Sequence, residues 1–192
     1  ILYAQNKDEQ YTYIESAKEK GYEVLLLDSP IIPHLMQKLE SKKEKIKFSR
    51  VDSDTLENLI KKDEEVISKL TDEEKEKLKP MIETAVENEK YTVQLEALDS
   101  NSMPFMLAQP EFMRRMKEMQ QTGGGAMGNL PDMYSLIVNT NHELVGKILN
   151  TRTEKKRNSL IKQSIDLAKL SQNNLTGKDL TEFINRSIDL IK

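Results

Sequence analysis

Gly123, Gly125 and Gly128 stand at the G-x-G-x-x-G spacing of a dinucleotide-binding fingerprint. That motif works when it follows a strand and opens a helix whose N-terminal amides receive a pyrophosphate. Here it follows a helical pattern, and Asn129-Leu130-Pro131 bars a helix immediately after it. Nor does it carry the G-K-[ST] ending of a phosphate-binding loop. The glycines therefore read as a loop. His34 and His142 are the only histidines, and no nearby Ser, Asp or Glu completes a triad or a metal set. Asp28 closes an apolar strand, where open α/β sheets place functional groups, yet a lone carboxylate there reads first as a cap or turn residue. The sequence presents no catalytic constellation, no cofactor site and no metal site.

It does present a methionine helix. Seven of the nine methionines lie between Met103 and Met133, in a chain without tryptophan or cysteine. In FMRRMKEMQQTGGG, at about 100° per residue, Phe112, Met113, Met116 and Met119 fall within an arc of about 120°. Arg114, Arg115, Lys117 and Glu118 take the opposite side, and Pro110 suits the first turn. Two uses of the apolar arc stay open. Spacing alone fits a helix packed on its own domain. The clustering of a side chain suited to varied partners, and the glycine tether behind the helix, fit a surface that faces solvent.

A second apolar signal closes the chain. Leu160, Ile161, Ile165 and Ala168 form one stripe, broadened by Leu167 and Leu170, and Leu180, Phe183, Ile184, Ile188 and Ile191 form another. Two short terminal helices this apolar need a third surface. That surface is either the preceding sheet or a second copy, and self-association into a four-helix bundle is the expectation.

The elements that carry these residues follow from pattern. Ile1–Ala4, Val24–Leu27 and Phe48–Val51 read as strands, separated by helices at Glu9–Lys20, stopped by Gly21, and at Pro33–Leu39. This β-α-β-α-β order predicts a small parallel sheet with right-handed crossovers. From Ser53 the chain turns to charged helix. Thr71 with Glu74 makes a capping box for a helix over Asp72–Asn88, in which Pro80 is expected to introduce a kink or a restart. Strands follow at Tyr91–Leu98 and Met103–Ala108, joined by Asp99-Ser100-Asn101-Ser102, and at Tyr134–Asn139. A helix follows at His142–Leu149. Capping boxes at Thr151/Glu154 and Thr176/Asp179 open the last two helices, to about Ser171 and Ile191. The fold class is α+β. A small three-layer α/β/α subdomain occupies residues 1–52. A mixed α/β domain occupies 53–192, with a three-stranded sheet and a C-terminal helical hairpin, and 53–88 serve as its charged connector and first helix.

Composition bounds the rest. A charged fraction of 32% with a net charge of −3 does not favour nucleic acid as the main partner. No apolar run reaches the roughly 20 residues of a membrane span. The absence of cysteine excludes disulfides and thiolate zinc sites, and makes a reducing compartment, the cytoplasm, the default. The opening ILYAQ, without an initiator methionine, reads as part of a longer polypeptide.

Three stretches carry a family resemblance. GYEVLLLDSPI (Gly21–Ile31), after ILYA, is similar to the last α/β subdomain of the middle domain of the ninety-kilodalton heat-shock chaperones, in their bacterial form. VQLEALDSNSMPFML resembles the start of that family's C-terminal domain. SLIVNTNHELVGKIL resembles the passage into its dimerisation helices. The sequence departs from the family at Ile32, where an acidic residue is usual, and at Pro104, displaced from just after the Asp-Ser pair. Thr140 takes the place of a common proline, and the acidic tail of the cytosolic eukaryotic members is absent. The resemblance implies a stress-response chaperone, dimeric and ATP-driven, that clamps partly folded clients in the cytoplasm. ATP and magnesium would be held by upstream domains and not by this chain. It implies that Phe112, Met113, Met116 and Met119 lie on an exposed client-binding helix, and that the two C-terminal stripes form the homodimer interface. The partners would be a second copy and unfolded client proteins, with neither nucleic acid nor membrane. Two other readings remain: an autonomous dimeric adaptor, and a small enzyme binding a ligand near Asp28.

Overall fold

The computed structural model describes residues 1–60, 66–86, 90–123 and 133–191. Among them it contains eight helices and two three-stranded sheets, a mixed α and β architecture. The chain divides into two compact units. One comprises Ile1–Lys62 with Ala108–Met133, the other Asp63–Leu107 with Tyr134–Lys192.

In the first unit, strands β1 (Leu2–Ala4), β2 (Leu25–Leu26) and β3 (Ser49–Arg50) form a wholly parallel sheet in the order β2-β1-β3. Parallel neighbours need crossovers, and helices α1 (Tyr11–Glu19) and α2 (Ile32–Lys42) provide them. Helix α1 buries Tyr13, Ile14 and Ala17. It ends where Gly21 takes a φ of +83°, a left-handed conformation that glycine adopts without a Cβ penalty. In α2, Pro33 stands in the first turn, where its missing N–H costs nothing. Met36 of α2, Tyr3 and Phe48 form a buried cluster, with Leu27, Ile32, Leu39 and Ile46 packed against it. Helix α3 (Leu56–Leu59) is capped by the Thr55 hydroxyl, which accepts from the Asn58 amide at 3.3 Å.

The second unit is built on β4 (Tyr91–Glu96), β5 (Phe105–Ala108) and β6 (Tyr134–Asn139), with β6 in the middle and parallel to β4. On β4, Val93 is buried while Thr92 and Gln94 are exposed, the alternation of a strand covered on one face. On β6, Leu136, Ile137, Val138 and Asn139 are all buried, as a central strand covered on both faces requires. Leu78 and Ile82 from α4 (Asp72–Glu83), Val145 and Ile148 from α6 (Glu143–Asn150), and Ile161, Ile165 and Ala168 from α7 (Glu154–Ser171) join Val93, Phe105, Leu107, Leu136 and Val138 in one core. Each of these side chains larger than alanine stabilises the fold by about 1.5–3 kcal/mol relative to exposure.

The capping box of α4 forms as its sequence predicts. The Thr71 hydroxyl accepts from the Glu74 amide at 3.3 Å, and the Glu74 carboxylate accepts from the Thr71 amide at 2.9 Å. Pro80 does not break this helix, because both Pro80 and Glu76 face solvent, where water can reach the carbonyl that Pro80 leaves without a donor. The helix ends at Glu83, with Thr84 as its C-terminal cap and a turn over Ala85 and Val86, so it stops short of the predicted Asn88; residues 87 and 88 lie outside the described residues. The second predicted capping box does not form. Helix α6 runs on to Asn150, so Thr151 caps its C-terminal end, with the hydroxyl donating to the Lys147 carbonyl at 2.6 Å. Helix α7 then starts from Thr153 without a side-chain cap.

The NTNH turn after β6 is a buried polar knot. The Asn139 side chain accepts from the amides of Leu98 and Asn141 and donates to the Asp99 carbonyl. The Asn141 side chain accepts from the Lys69 amide and donates to the carbonyls of Ile67 and Leu98. Thr140 donates to the Glu96 carbonyl through both its amide, at 2.8 Å, and its hydroxyl, at 3.1 Å. A proline at this position could make neither bond.

Candidate functional site

The methionine helix is α5 (Glu111–Gly123), and it belongs to the first unit. Its backbone pattern places Glu111, Arg114, Arg115 and Glu118 on one face, at the i, i+3, i+4, i+7 spacing that normally marks an apolar stripe. This charged face is the docked one. Arg114 is 3% exposed. Its guanidinium donates to the Tyr3 hydroxyl, to Glu111 Oε1 at 2.7 Å, to Glu118 and to Gln5 Oε1 at 3.3 Å. The Tyr3 hydroxyl in turn donates to Glu111 Oε1 at 2.7 Å. Arg115 donates to Glu111 Oε1 at 2.6 Å, to both carboxylate oxygens of Glu40 on α2 and to the Phe48 carbonyl at 2.7 Å. The Arg50 amide closes the far side of Glu111 at 3.3 Å.

The electrostatics follow from this closure. Burial acts to raise the Glu111 carboxyl, but the Arg114 charge and the hydrogen bonds from Arg114, Tyr3 and Arg115 outweigh it and hold the group below its usual range. At Glu40, burial is likewise overcome by hydrogen bonds from Arg115 and the Phe48 amide. Burial pushes the Tyr3 phenol well up. All three groups therefore keep the charge state the network needs. A buried charge is tolerated when it is paired and hydrogen-bonded. Here every nitrogen of the two guanidiniums is paired except the buried Arg114 Nε, which has no hydrogen-bond partner among the described residues.

Because the charged face is docked, the opposite face is turned away from the unit. Phe112 is 71% exposed, and Met113, Met116 and Met119 are each partly exposed. The sequence pattern correctly separates the two faces of α5. It gives no sign that the charged one is buried, since Arg114 and Arg115 read as solvated residues. The partners that bury them, Tyr3, Glu40 and Phe48, lie more than sixty residues away in the chain. The glycine pattern begins at Gly123, the last residue of α5, and its remaining positions lie outside the described residues.

The C-terminal stripes divide. Ile161, Ile165 and Ala168 are completely buried within the second unit, and Leu160 packs against the same core. These side chains are occupied within one chain, as the packing alternative anticipates for α7. Helix α8 (Gly177–Ile191) lies along α7. It turns Phe183 inward, while Arg186 pairs with the buried Asp166 and Ser187 accepts from Gln163 at 2.9 Å. Burial raises the Asp166 carboxyl above its usual range, against the opposing Arg186 charge. Leu180 is partly exposed. Leu167, Leu170, Ile184 and Ile188 are between 41% and 47% exposed, and Ile191 is 85% exposed.

The other sequence candidates are not brought together. His142 caps α6, its Nδ1 accepting from the Leu144 amide at 3.0 Å. His34 and Asp28 are exposed in the first unit. Among the described residues no cluster of three His, Asp or Glu side chains could hold a metal ion, and no helix is long and apolar enough to cross a membrane.

Similarity to known proteins assigns a class to this arrangement: the chain is related to molecular chaperones. These relatives are the bacterial HtpG chaperones, to which the chain is 33–40% identical over most of its length, in a C-terminal region of those proteins. With HtpG of Porphyromonas gingivalis it shares 40% identity over 174 residues, 88% of this chain and 25% of that protein. With HtpG of Bacteroides thetaiotaomicron it shares 34%, and with HtpG of Bacteroides fragilis 33%, each over 259 positions covering 99% of this chain and 38% of the relative. The chain thus spans 25–38% of the length of these relatives. No protein-family model matches it.

Proposed function

We propose that this chain is the dimerisation and client-binding part of an ATP-dependent chaperone that acts on unfolded proteins in the cytoplasm. The observation that carries the reading is the inverted docking of α5. Arg114 is buried in an ion network while Phe112, two residues earlier, is 71% exposed. An exposed phenylalanine flanked by methionines is a surface that can bind irregular apolar segments. Residues 1–52 would be the end of the middle domain and 53–192 the dimerisation domain. The chain itself would bind no nucleotide and catalyse no reaction, with ATP and magnesium held elsewhere in the complete protein. The homodimer surface would use the part of the hairpin that the single chain leaves open: Leu167, Leu170, Leu180, Ile184, Ile188 and Ile191.

The test is the triple variant Phe112→Ser, Met116→Ser, Met119→Ser. If these residues serve clients, the variant keeps its thermal stability and loses protection of an unfolded model protein from aggregation. If they serve the fold, truncating them costs about 2–5 kcal/mol each and the first unit unfolds. A stable variant with full protection overturns the proposal.

A further inference from the structure

The methionines of α5 keep part of their surface exposed, while a methionine beneath the helix is sealed. Met113, Met116 and Met119 are each partly exposed. Met36 is 1% exposed, clustered with Tyr3 and Phe48, and the Arg115 guanidinium lies 3.9 Å from its sulfur. The hydrogen bonds that anchor the helix run from its other face, from Arg114 to the Tyr3 hydroxyl and from Arg115 to Glu40. Leucine would supply the same apolar arc with equal helix propensity, yet all three aliphatic positions are thioethers.

We propose that Met113, Met116 and Met119 form an oxidation site for hydroperoxides, which converts the outward face of α5 from apolar to polar. The thioether lone pair attacks one peroxide oxygen, forming the S–O bond as the O–O bond breaks. Sulfur loses two electrons, and with hydrogen peroxide the displaced oxygen leaves as water after taking the remaining proton. The product is a sulfoxide, a polar and reducible group. The modification stands on the geometry of α5 alone. Its consequence, a lowered affinity for clients, rests on the client-surface reading.

The experiment treats the full chain with hydrogen peroxide and follows each methionine by peptide mass mapping. Met133, 42% exposed, and Met36 serve as references within the same molecule. Met113, Met116 and Met119 should oxidise within about threefold of Met133 and at least about tenfold faster than Met36, a ranking that urea should abolish. Oxidation of all three as slowly as Met36 overturns the site. An unfolded client is then titrated against the oxidised chain and against a Met113→Leu, Met116→Leu, Met119→Leu variant treated identically. Each chain is compared with its own untreated form. The wild type should lose affinity about tenfold on oxidation, and the affinity of the leucine variant, whatever its starting value, should not change on the same treatment. If oxidation maps to the three residues with affinity unchanged, while Phe112→Ser lowers it, the switch is wrong and the client surface stands. If neither change lowers affinity, both fall.

Discussion

Glu111 and Phe112 are neighbours on α5, and the structure predicts that their substitutions invert the usual ranking of apolar and charged positions. Glu111→Ala removes an acceptor used by Tyr3, Arg114, Arg115 and the Arg50 amide. It leaves Arg114 buried, with Glu118 as its remaining carboxylate, while Arg115 keeps Glu40. Breaking a buried pair by removing one partner costs about 3–5 kcal/mol, and the surviving carboxylates place this case near 3 kcal/mol. Phe112→Ser removes a side chain that is 71% exposed, so its cost stays within about 0.5 kcal/mol. The assay is native-state hydrogen exchange at the α5 amides, paired with urea melts followed by circular dichroism. A loss of 3 kcal/mol speeds exchange through local opening by roughly a hundredfold. Glu111→Ala should show that acceleration in α5 and Phe112→Ser should not. A large effect at Phe112 with a small one at Glu111 would mean that the helix docks by its apolar face, and the account of α5 would be wrong.

Acid should loosen the first unit. The Glu111 and Glu40 carboxyls are lower in the folded chain than in the unfolded one. Their stabilisation is therefore present above the usual carboxylate value of about 4.3 and is lost as pH falls through the depressed folded values. Urea melts across that range should fall less steeply for Glu111→Gln than for the wild type, and equal slopes would refute the coupling. At the other end of the chain, Ile184 is 47% exposed, so Ile184→Asp should leave the fold intact within about 0.5 kcal/mol. Sedimentation equilibrium should then show a dimer for the wild type and a monomer for the variant. A monomeric wild type at micromolar concentration would remove the dimer proposal.

The strands and helices were legible because their periodicities are local. The three short parallel strands, the Thr71/Glu74 cap and α7 from Glu154 all follow from neighbouring residues. The sequence misleads where a choice depends on distant packing. Thr151 and Glu154 satisfy a capping pattern, but α6 runs one residue further than predicted, to Asn150, and claims Thr151 first. Ile161, Ile165 and Ala168 look the same as an intermolecular stripe until α4, α6 and the sheet are seen to cover them. Arg114 is the clearest example. Nothing within ten residues of it announces burial, because the group that seals it is a tyrosine on the first strand. The faces of α5 could be separated from sequence, but which of them docks could not.

The most direct test of the client surface is site-specific photocrosslinking. A benzophenone amino acid is placed at position 112 in one chain and at position 115 in another, and each is irradiated with an unfolded client protein. Arg115 is tied to Glu40, Glu111 and the Phe48 carbonyl on the docked face, whereas Phe112 faces solvent. A client that docks on the outward face of α5 should crosslink strongly from position 112 and little from position 115. Equal labelling at both positions, or none from position 112, would contradict that docking.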